Sequence, residues 1–298
     1  MELVITLIAN PAQANLTQRH VDHVQTALSK ADCVSSSPSW LAENIACDIF
    51  FDGEDLTTLR NMVRGEVLEF SIDSVVQPAA HRRKRLLLAD MDSTIVTGET
   101  LDELAGVAGL KDQVAAITER AMRGDLDFKE ALRERVAMLK GLPATALDET
   151  LETTELTSGA RPLVQTMRAN GAYTVLVSGG FKFFTGAIGK RVGFHEDRSN
   201  EMIIANNVLT GEVGDPILDR DAKLASLNSI SAAKQIPIEE SLATGDGAND
   251  LPMILAAGLG VAFHAKPVVE EKAPAAIRYG DLTALLYIQG YRREEFSE

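Results

Sequence analysis

The sequence predicts an α/β protein built as a doubly wound parallel sheet with a helical insertion, preceded by a smaller βαββαβ unit. Three observations predict it. A chain of 298 residues is long enough for two units, since single hydrophobic cores rarely grow past about 250 to 300 residues. Short aliphatic runs ending in polar residues recur from Leu86 onward, as expected of strands buried on both faces of a parallel sheet. Between Val96 and Arg161 such runs nearly vanish, and helical segments replace them.

The N-terminal unit reads strand, helix, strand, strand, helix, strand. Its pieces are ELVITLIA from Glu2, a helix over Thr17–Lys30, extended runs around Ser35–Trp40 and Asn44–Phe51, a helix over Asp55–Val67, and the strand LEFSIDSVV from Leu68. This order is of ferredoxin-like type and, over residues 1–80, resembles an ACT-like regulatory domain. The loop NPAQAN after the first strand lacks the Asp and Gly that amino-acid-binding members of that family carry. A structural or dimerising role, as in a homodimer, therefore stands beside effector binding. The basic stretch PAAHRRKR, Pro78–Arg85, reads as a solvated connector between the units.

From residue 86 to 298 the order is that of a doubly wound domain. Buried parallel strands are predicted at Leu86–Asp90, Thr174–Ser178, Ser241–Gly245 and Gly258–Phe263. The segments LDELAGVAGL, DQVAAITERAMRG and FKEALRERVAMLKG place a helical cap at about 97–160, over the sheet's end.

Composition excludes several functions. A net charge of -14 argues against a nucleic-acid partner, whose backbone needs clustered Lys and Arg. An acidic chain that handles an anionic small molecule must therefore supply positive charge locally. No apolar run is long enough to span a membrane, and the N-terminus lacks a basic region and a long apolar core, so a cytoplasmic protein without a membrane partner is expected. Cys33 and Cys47 are too few for a disulfide framework and read as buried thiols in a reducing compartment. The five histidines show no metal-ligand spacing, and neither a GxxxxGK[ST] loop nor a GxGxxG fingerprint occurs.

In an open parallel sheet, ligands sit outside the carboxyl ends of the strands. Three predicted strands end there in reactive groups: Asp90 and Asp92 in LLLADMDST, Ser178 in TVLVSGG, and Asp246, Asn249 and Asp250 in LATGDGAND. Lys223 lies at the start of a helix over Ala222–Ala233. Any one of these alone is more often a turn, cap or solvated residue. Their conjunction, each at a strand or helix end, is far more specific.

These residues resemble the four motifs of the haloacid dehalogenase-like hydrolase superfamily: DMDST, Ser178, Lys223 and GDGAND. Within it, Glu99 after the first motif, with Met122, Phe128 and Arg135 in the cap, resembles the phosphoserine phosphatase family. The resemblance implies Mg²⁺-dependent hydrolysis of O-phospho-L-serine, the last step of serine biosynthesis. Asp90 is implied as nucleophile, and Asp92 as the acid that protonates the leaving hydroxyl and then the base that activates water. Metal ligands are implied to be Asp90, Asp246 and the Asp92 backbone carbonyl, with Asp250 supporting the metal and Asn249 nearby. Ser178, the Gly179 N–H and Lys223 are implied to hold the phosphate. Phosphoserine also carries an ammonium and a carboxylate, a demand that Glu99 and Arg135 meet. Phe128 and Met122 are implied to close over the substrate. The residues alone leave other small phosphate monoesters, an alcohol acceptor in place of water, and a sensing role with a vestigial site open.

Overall fold

The computed structural model describes residues 1–122 and 126–298, apart from the side chains of Glu119, Ala121, Met122 and Arg220. The first sheet is made by β1 (Glu2–Ile8), β2 (Ser39–Ala42), β3 (Ala46–Asp52) and β4 (Asp73–Pro78), antiparallel in the order β2-β3-β1-β4. Helices α1 (Gln18–Lys30) and α2 (Leu56–Val67) complete the ferredoxin-like unit. Thr17 caps α1, and the Asp55 carboxylate caps α2 by accepting the N–H groups of Thr57 and Thr58, donors that a helix start leaves unpaired. Leu68–Phe70, expected to be extended, form a turn of 3₁₀ helix ending at a left-handed Ser71. The last strand therefore begins only at Asp73.

Strand alternation explains how this sheet is used. Leu3, Ile5 and Leu7 pack against Val21, Val24 and Leu28 of α1 and Leu59 and Val63 of α2. Ile8, Ala46 and Val75 face the other way and join a core that contains Leu282, Leu285, Leu286 and Tyr291 from the end of the chain. Each such aliphatic side chain contributes about 1.5–3 kcal/mol when fully buried.

The second sheet has six parallel strands in the order β12-β11-β10-β5-β6-β7. In chain order they are β5 (Leu86–Ala89), β6 (Tyr173–Phe181), β7 (Glu196–Asn200), β10 (Ser241–Gly245), β11 (Leu259–Phe263) and β12 (Ala275–Ile277), with the hairpin β8 (Met202–Ala205) and β9 (Val208–Val213) beside them. Leu86 and Leu88 face a core with Leu227 and Ile230, whereas Leu87 and Ala89 face the opposite one. Burial on both faces is why β5 reads as an unbroken aliphatic run. Helices α3 (Thr100–Val107), α4 (Lys111–Met122), α5 (Phe128–Ala137) and α6 (Thr145–Thr153) form the insertion, and α7 (Ala160–Ala169) returns the chain to β6. The remaining helices are α8 (Lys182–Val192), α9 (Arg220–Lys234), α10 (Leu251–Ala256), α11 (Pro267–Lys272) and α12 (Ala284–Tyr287). Among the described residues no helix is long and apolar enough to cross a membrane.

Pro78, Ala80, His81, Arg83 and Arg85 of the basic connector are exposed, as its composition suggests, but Arg82 and Lys84 are not. Arg82 holds both carboxylate oxygens of buried Asp48, at 2.6 and 3.0 Å, and donates to the Tyr287 and Ile288 carbonyls. Lys84 is buried, its ammonium donating to the carbonyls of His81 and Glu239. A second latch is the buried Asp73 carboxylate, which accepts the N–H groups of Arg278, Tyr279 and Gly280 at 2.7–3.0 Å. Of the two cysteines, Cys47 is buried, its thiol pushed up to about 12 by burial and then by Asp48, whereas Cys33 is partly exposed.

Candidate active site

The strand order reverses direction between β5 and β10, and that switch point opens a crevice at their carboxyl ends. Register aligns the contributors: Ala89 pairs with Thr244 of β10 and Leu176 of β6. Asp90 thus lies one residue past the edge, and Asp246 and Ser178 two past the same level. The Asp90 N–H donates to the Thr244 carbonyl at 3.0 Å, which continues the ladder one residue past β5.

Lys223 reaches this edge from the first turn of α9, which the Asp219 carboxylate caps. Its ammonium lies 2.7 Å from Asp90 Oδ1 and 2.5 Å from Asp250 Oδ1, with its side chain only 1% exposed. Asp250 Oδ2 accepts the Gly247 N–H at 3.0 Å. A Cβ on Gly245 would collide with the Asp250 carboxylate, and one on Gly247 with the Asn249 amide oxygen, so the glycines of GDGAND permit this packing. Burial alone would lower the pKa of Lys223, but Asp250 and Asp90 outweigh it and hold the ammonium above its ordinary value. Asp90 is raised well above the carboxylate range by burial and then by Asp250, against the pull of Lys223. Asp246 is pushed up to about 6 by burial and then by Asp250.

Carboxylate oxygens of Asp90, Asp246 and Asp250 lie within 4.8 Å of one another. Lys223 pairs with only two of these three carboxylates, and Asp246 has just the more distant pull of Lys266 and Lys223, an excess of negative charge that is costly in a buried site. An all-oxygen donor set of this kind fits a hard divalent cation.

Asp92 belongs to a different set of contacts. After Asp90 the chain enters the tight turn Met91–Ile95, in which Ser93 has φ 53°. The turn aims Asp92 at the start of α3, where its Oδ1 accepts both the N–H and the hydroxyl of Thr100 at 2.8 Å. Its Oδ2 accepts the Ser178 hydroxyl at 3.2 Å, and Ser178 Oγ accepts the Gly180 N–H at 2.8 Å. Burial raises the pKa of Asp92, while the Thr100 hydrogen bonds oppose the rise. Ser93 donates its hydroxyl to Glu99 Oε1 at 2.7 Å. Although the outer part of Glu99 meets solvent, its carboxyl is pushed up to about 7 by burial and then by Asp92.

The insertion closes over this edge. Phe128, capped into α5 by Asp127, packs on Gly179 in the bulged end of β6 so closely that a Cβ there would lie 3.2 Å from its ring. Arg135, one helical face along, donates Nε to the Ala131 carbonyl at 3.3 Å. Burial lowers its pKa, and Asp102, Glu99 and Asp92 are the charges that oppose this. Asn249 sits half-buried over Gly247. The Met122 side chain falls outside the described residues.

Residues 87–255 match the model of the haloacid dehalogenase-like hydrolase family. The chain belongs to that family. Within the haloacid dehalogenase-like hydrolases its place is among the phosphoserine phosphatases. It is 34% identical to a phosphoserine phosphatase of Saccharomyces cerevisiae over 99% of this chain and 98% of the relative. It is 45% identical to one of Mycobacterium tuberculosis over 72% of this chain, and there it covers 53% of the relative's length. The chain thus spans about half of that protein. Among solved structures, a probable phosphoserine phosphatase from Vibrio cholerae superposes with a TM-score of 0.80 at 30% identity, covering 99% of this chain and 88% of the other.

Several residues of this haloacid dehalogenase-like hydrolase site escape sequence reasoning. Thr100 and Ser93 fix Asp92 and Glu99, and Asn200 braces the end of β6 by donating to the Gly179 carbonyl at 2.8 Å. Asn200 ends β7, whose sequence EDRSN has no aliphatic run. Its position as the last polar residue of a strand was the only available signal.

Proposed function

We propose that the chain hydrolyses O-phospho-L-serine to serine and phosphate, with Asp90 as nucleophile and Mg²⁺ as cofactor. What carries the reading is the division of labour between two carboxyls of one turn: Asp90 beside Lys223 and Asp250, Asp92 beside Thr100 and Ser178. Asp90, Asp246 and the Asp92 carbonyl would hold Mg²⁺, with Asp250 adding charge. When bound, the ion offsets the negative charge of the phosphate dianion and of the site's carboxylates.

Asp90 forms an Oδ–P bond while the ester P–O bond breaks, giving an aspartyl-phosphate. Asp92 Oδ1 already accepts two donors from Thr100, so its acidic proton sits on Oδ2 and passes to the departing serine oxygen. Water then attacks phosphorus, its proton goes to Asp92 Oδ2, and the Oδ–P bond of Asp90 breaks. Lys223, Ser178 and the Gly179 N–H steady the equatorial oxygens, and Asn249 flanks them. In the cap, Glu99 receives the substrate ammonium and Arg135 its carboxylate, under Phe128 and Met122. Residues 1–80 and 86–298 act as separate functional units, with the cap over 97–160. The partly exposed thiol of Cys33 supports a reducing, cytoplasmic compartment.

Steady-state hydrolysis of a panel of phosphorylated amino acids and sugars, with magnesium present or chelated, tests the proposal. The expected result is a magnesium-dependent preference for phosphoserine. Preference for a sugar phosphate, or full turnover under chelation, overturns it.

A further inference from the structure

The two sheets enclose a cleft of about 310 Å³ whose lining shares no residue with the carboxylate cluster. One wall is α2 and β4, with Arg60 and Arg64. The other is α11 and the segment after it, with Glu270, Glu271, Lys272 and Arg278. Arg278 and Glu270 neutralise each other at 2.7 Å. Among the described residues no carboxylate lies in ion-pair contact with Arg60, Arg64 or Lys272, which leaves exposed Glu271 as the one other acid on the wall.

Arg60 is the centre of the argument. Its Nε donates to the Val76 carbonyl at 2.9 Å, which fixes the guanidinium plane, and its residue is half-buried. Burial lowers its pKa with no acid acting against it. A partly desolvated cation without an anion is costly. It is also uncommon ground in a chain of net charge -14, where a concentration of positive charge has to be built. A guanidinium presents two parallel donors that match an oxyanion. The volume is that of a small-molecule site, at the lower end of the usual range of about 300–1,000 Å³. The Asp73 latch to residues 278–280 holds the walls in place before any ligand arrives, which reduces the cost of binding.

We propose that this cleft is a second ligand site, for a small oxyanion bearing phosphate or carboxylate. It is joined to the first site by backbone. Lys266, the residue that opens α11, donates its N–H to the Asp246 carbonyl at 3.1 Å.

Hydrogen exchange on the full chain with magnesium present tests this, using sodium phosphate and succinate as separate probes. Ligand binding to a closed state slows exchange by the factor one plus the ratio of ligand to Kd, so roughly tenfold at ten times Kd. The expected result is slower exchange in segments 56–64 and 270–278. Protection by phosphate alone assigns a phosphoryl ligand, and protection by succinate alone a carboxylate. Phosphate in the first site protects segments 90–100 and 244–250 instead, so the sites are read separately. Arg60→Met/Arg64→Met should lose the cleft protection while keeping turnover and melting temperature. If that variant does not fold, Lys272→Glu, at an exposed helix end, should lose it. No protection of the cleft segments by either probe, or protection that survives these substitutions, overturns the proposal.

Discussion

Lys223→Met removes the one ammonium between two buried carboxylates. The lysine side chain is 1% exposed and those of Asp90 and Asp250 are 7% and 0% exposed, so little water is available to replace it. Taking one partner from a buried pair costs about 3–5 kcal/mol, against a total stability of about 5–15 kcal/mol. At roughly 2–4 °C per kcal/mol for a domain of this size, the melting temperature of the metal-free protein should fall by roughly 6–20 °C. The sign with pH follows from Asp90, whose folded pKa is already raised by burial and Asp250 and rises further without Lys223. The folded state then binds protons that the unfolded state has released, so stability is fully present below the unfolded carboxylate value, about 3.9, and is lost as pH rises through the folded one. Thermal melts at about pH 5 and pH 8 should therefore show a small deficit and a full one. Lys223→Met/Asp250→Asn should melt above Lys223→Met alone, because the second change removes an uncompensated charge. Turnover of the single variant should drop by about 10²–10³ through loss of a phosphate donor. An unchanged melting temperature at pH 8, or equal deficits at both pH values, refutes the reasoning.

Asp90→Asn should abolish the covalent phosphoryl adduct, detected by rapid quench and intact mass; a persisting adduct places the nucleophile elsewhere. Thr100→Val removes one of two donors to Asp92 Oδ1. A hydrogen bond to a charged group is worth about 1.5–3 kcal/mol, so kcat should fall roughly 10- to 150-fold, with KM little changed. Glu99, pushed up to about 7, binds the substrate ammonium only when ionised. KM should therefore fall as pH rises through about 7 in the wild type and stay flat in Glu99→Gln, relative to the ionisation of substrate common to both; parallel profiles sink the assignment.

Much of the fold was legible because β5, β6, β10 and β11 are largely buried on both faces and are built mainly of aliphatic and small residues. β7 and β12 were not. They are the two edges of the sheet, and edge strands tolerate charge and brevity, as EDRSN and AAI show. Arg82 and Lys84 of the connector escaped the sequence for a different reason. HRRKR shows its charge but not its partners, and Asp48 and the carbonyls of Tyr287 and Ile288 lie 34 to 206 residues away. Composition reports that a cation exists, and only the tertiary structure reports where its charge goes.

The site divides along the same line. Asp90, Ser178, Lys223 and Asp246 stood out because each puts a carboxylate, hydroxyl or ammonium at a predicted strand or helix end. Thr100, Ser93 and Asn200 did not, because each acts by holding another group, a task that many polar residues perform. The spacing of Asp90 and Asp92 shows the limit most clearly. In a continuing strand, residues two apart face the same side, and both carboxyls would crowd against Lys223. In the structure β5 ends at Ala89 and the two groups have disjoint partners, Lys223 and Asp250 for Asp90, Thr100 and Ser178 for Asp92, while the left-handed Ser93 turns the chain just after the second. Burial raises the pKa of both, so contact is what distinguishes them: Asp90 lies against the Lys223 ammonium, whereas Asp92 accepts from the Thr100 N–H and from two hydroxyls. That difference follows from the neighbours each carboxyl meets, and the number of aspartates alone does not supply it.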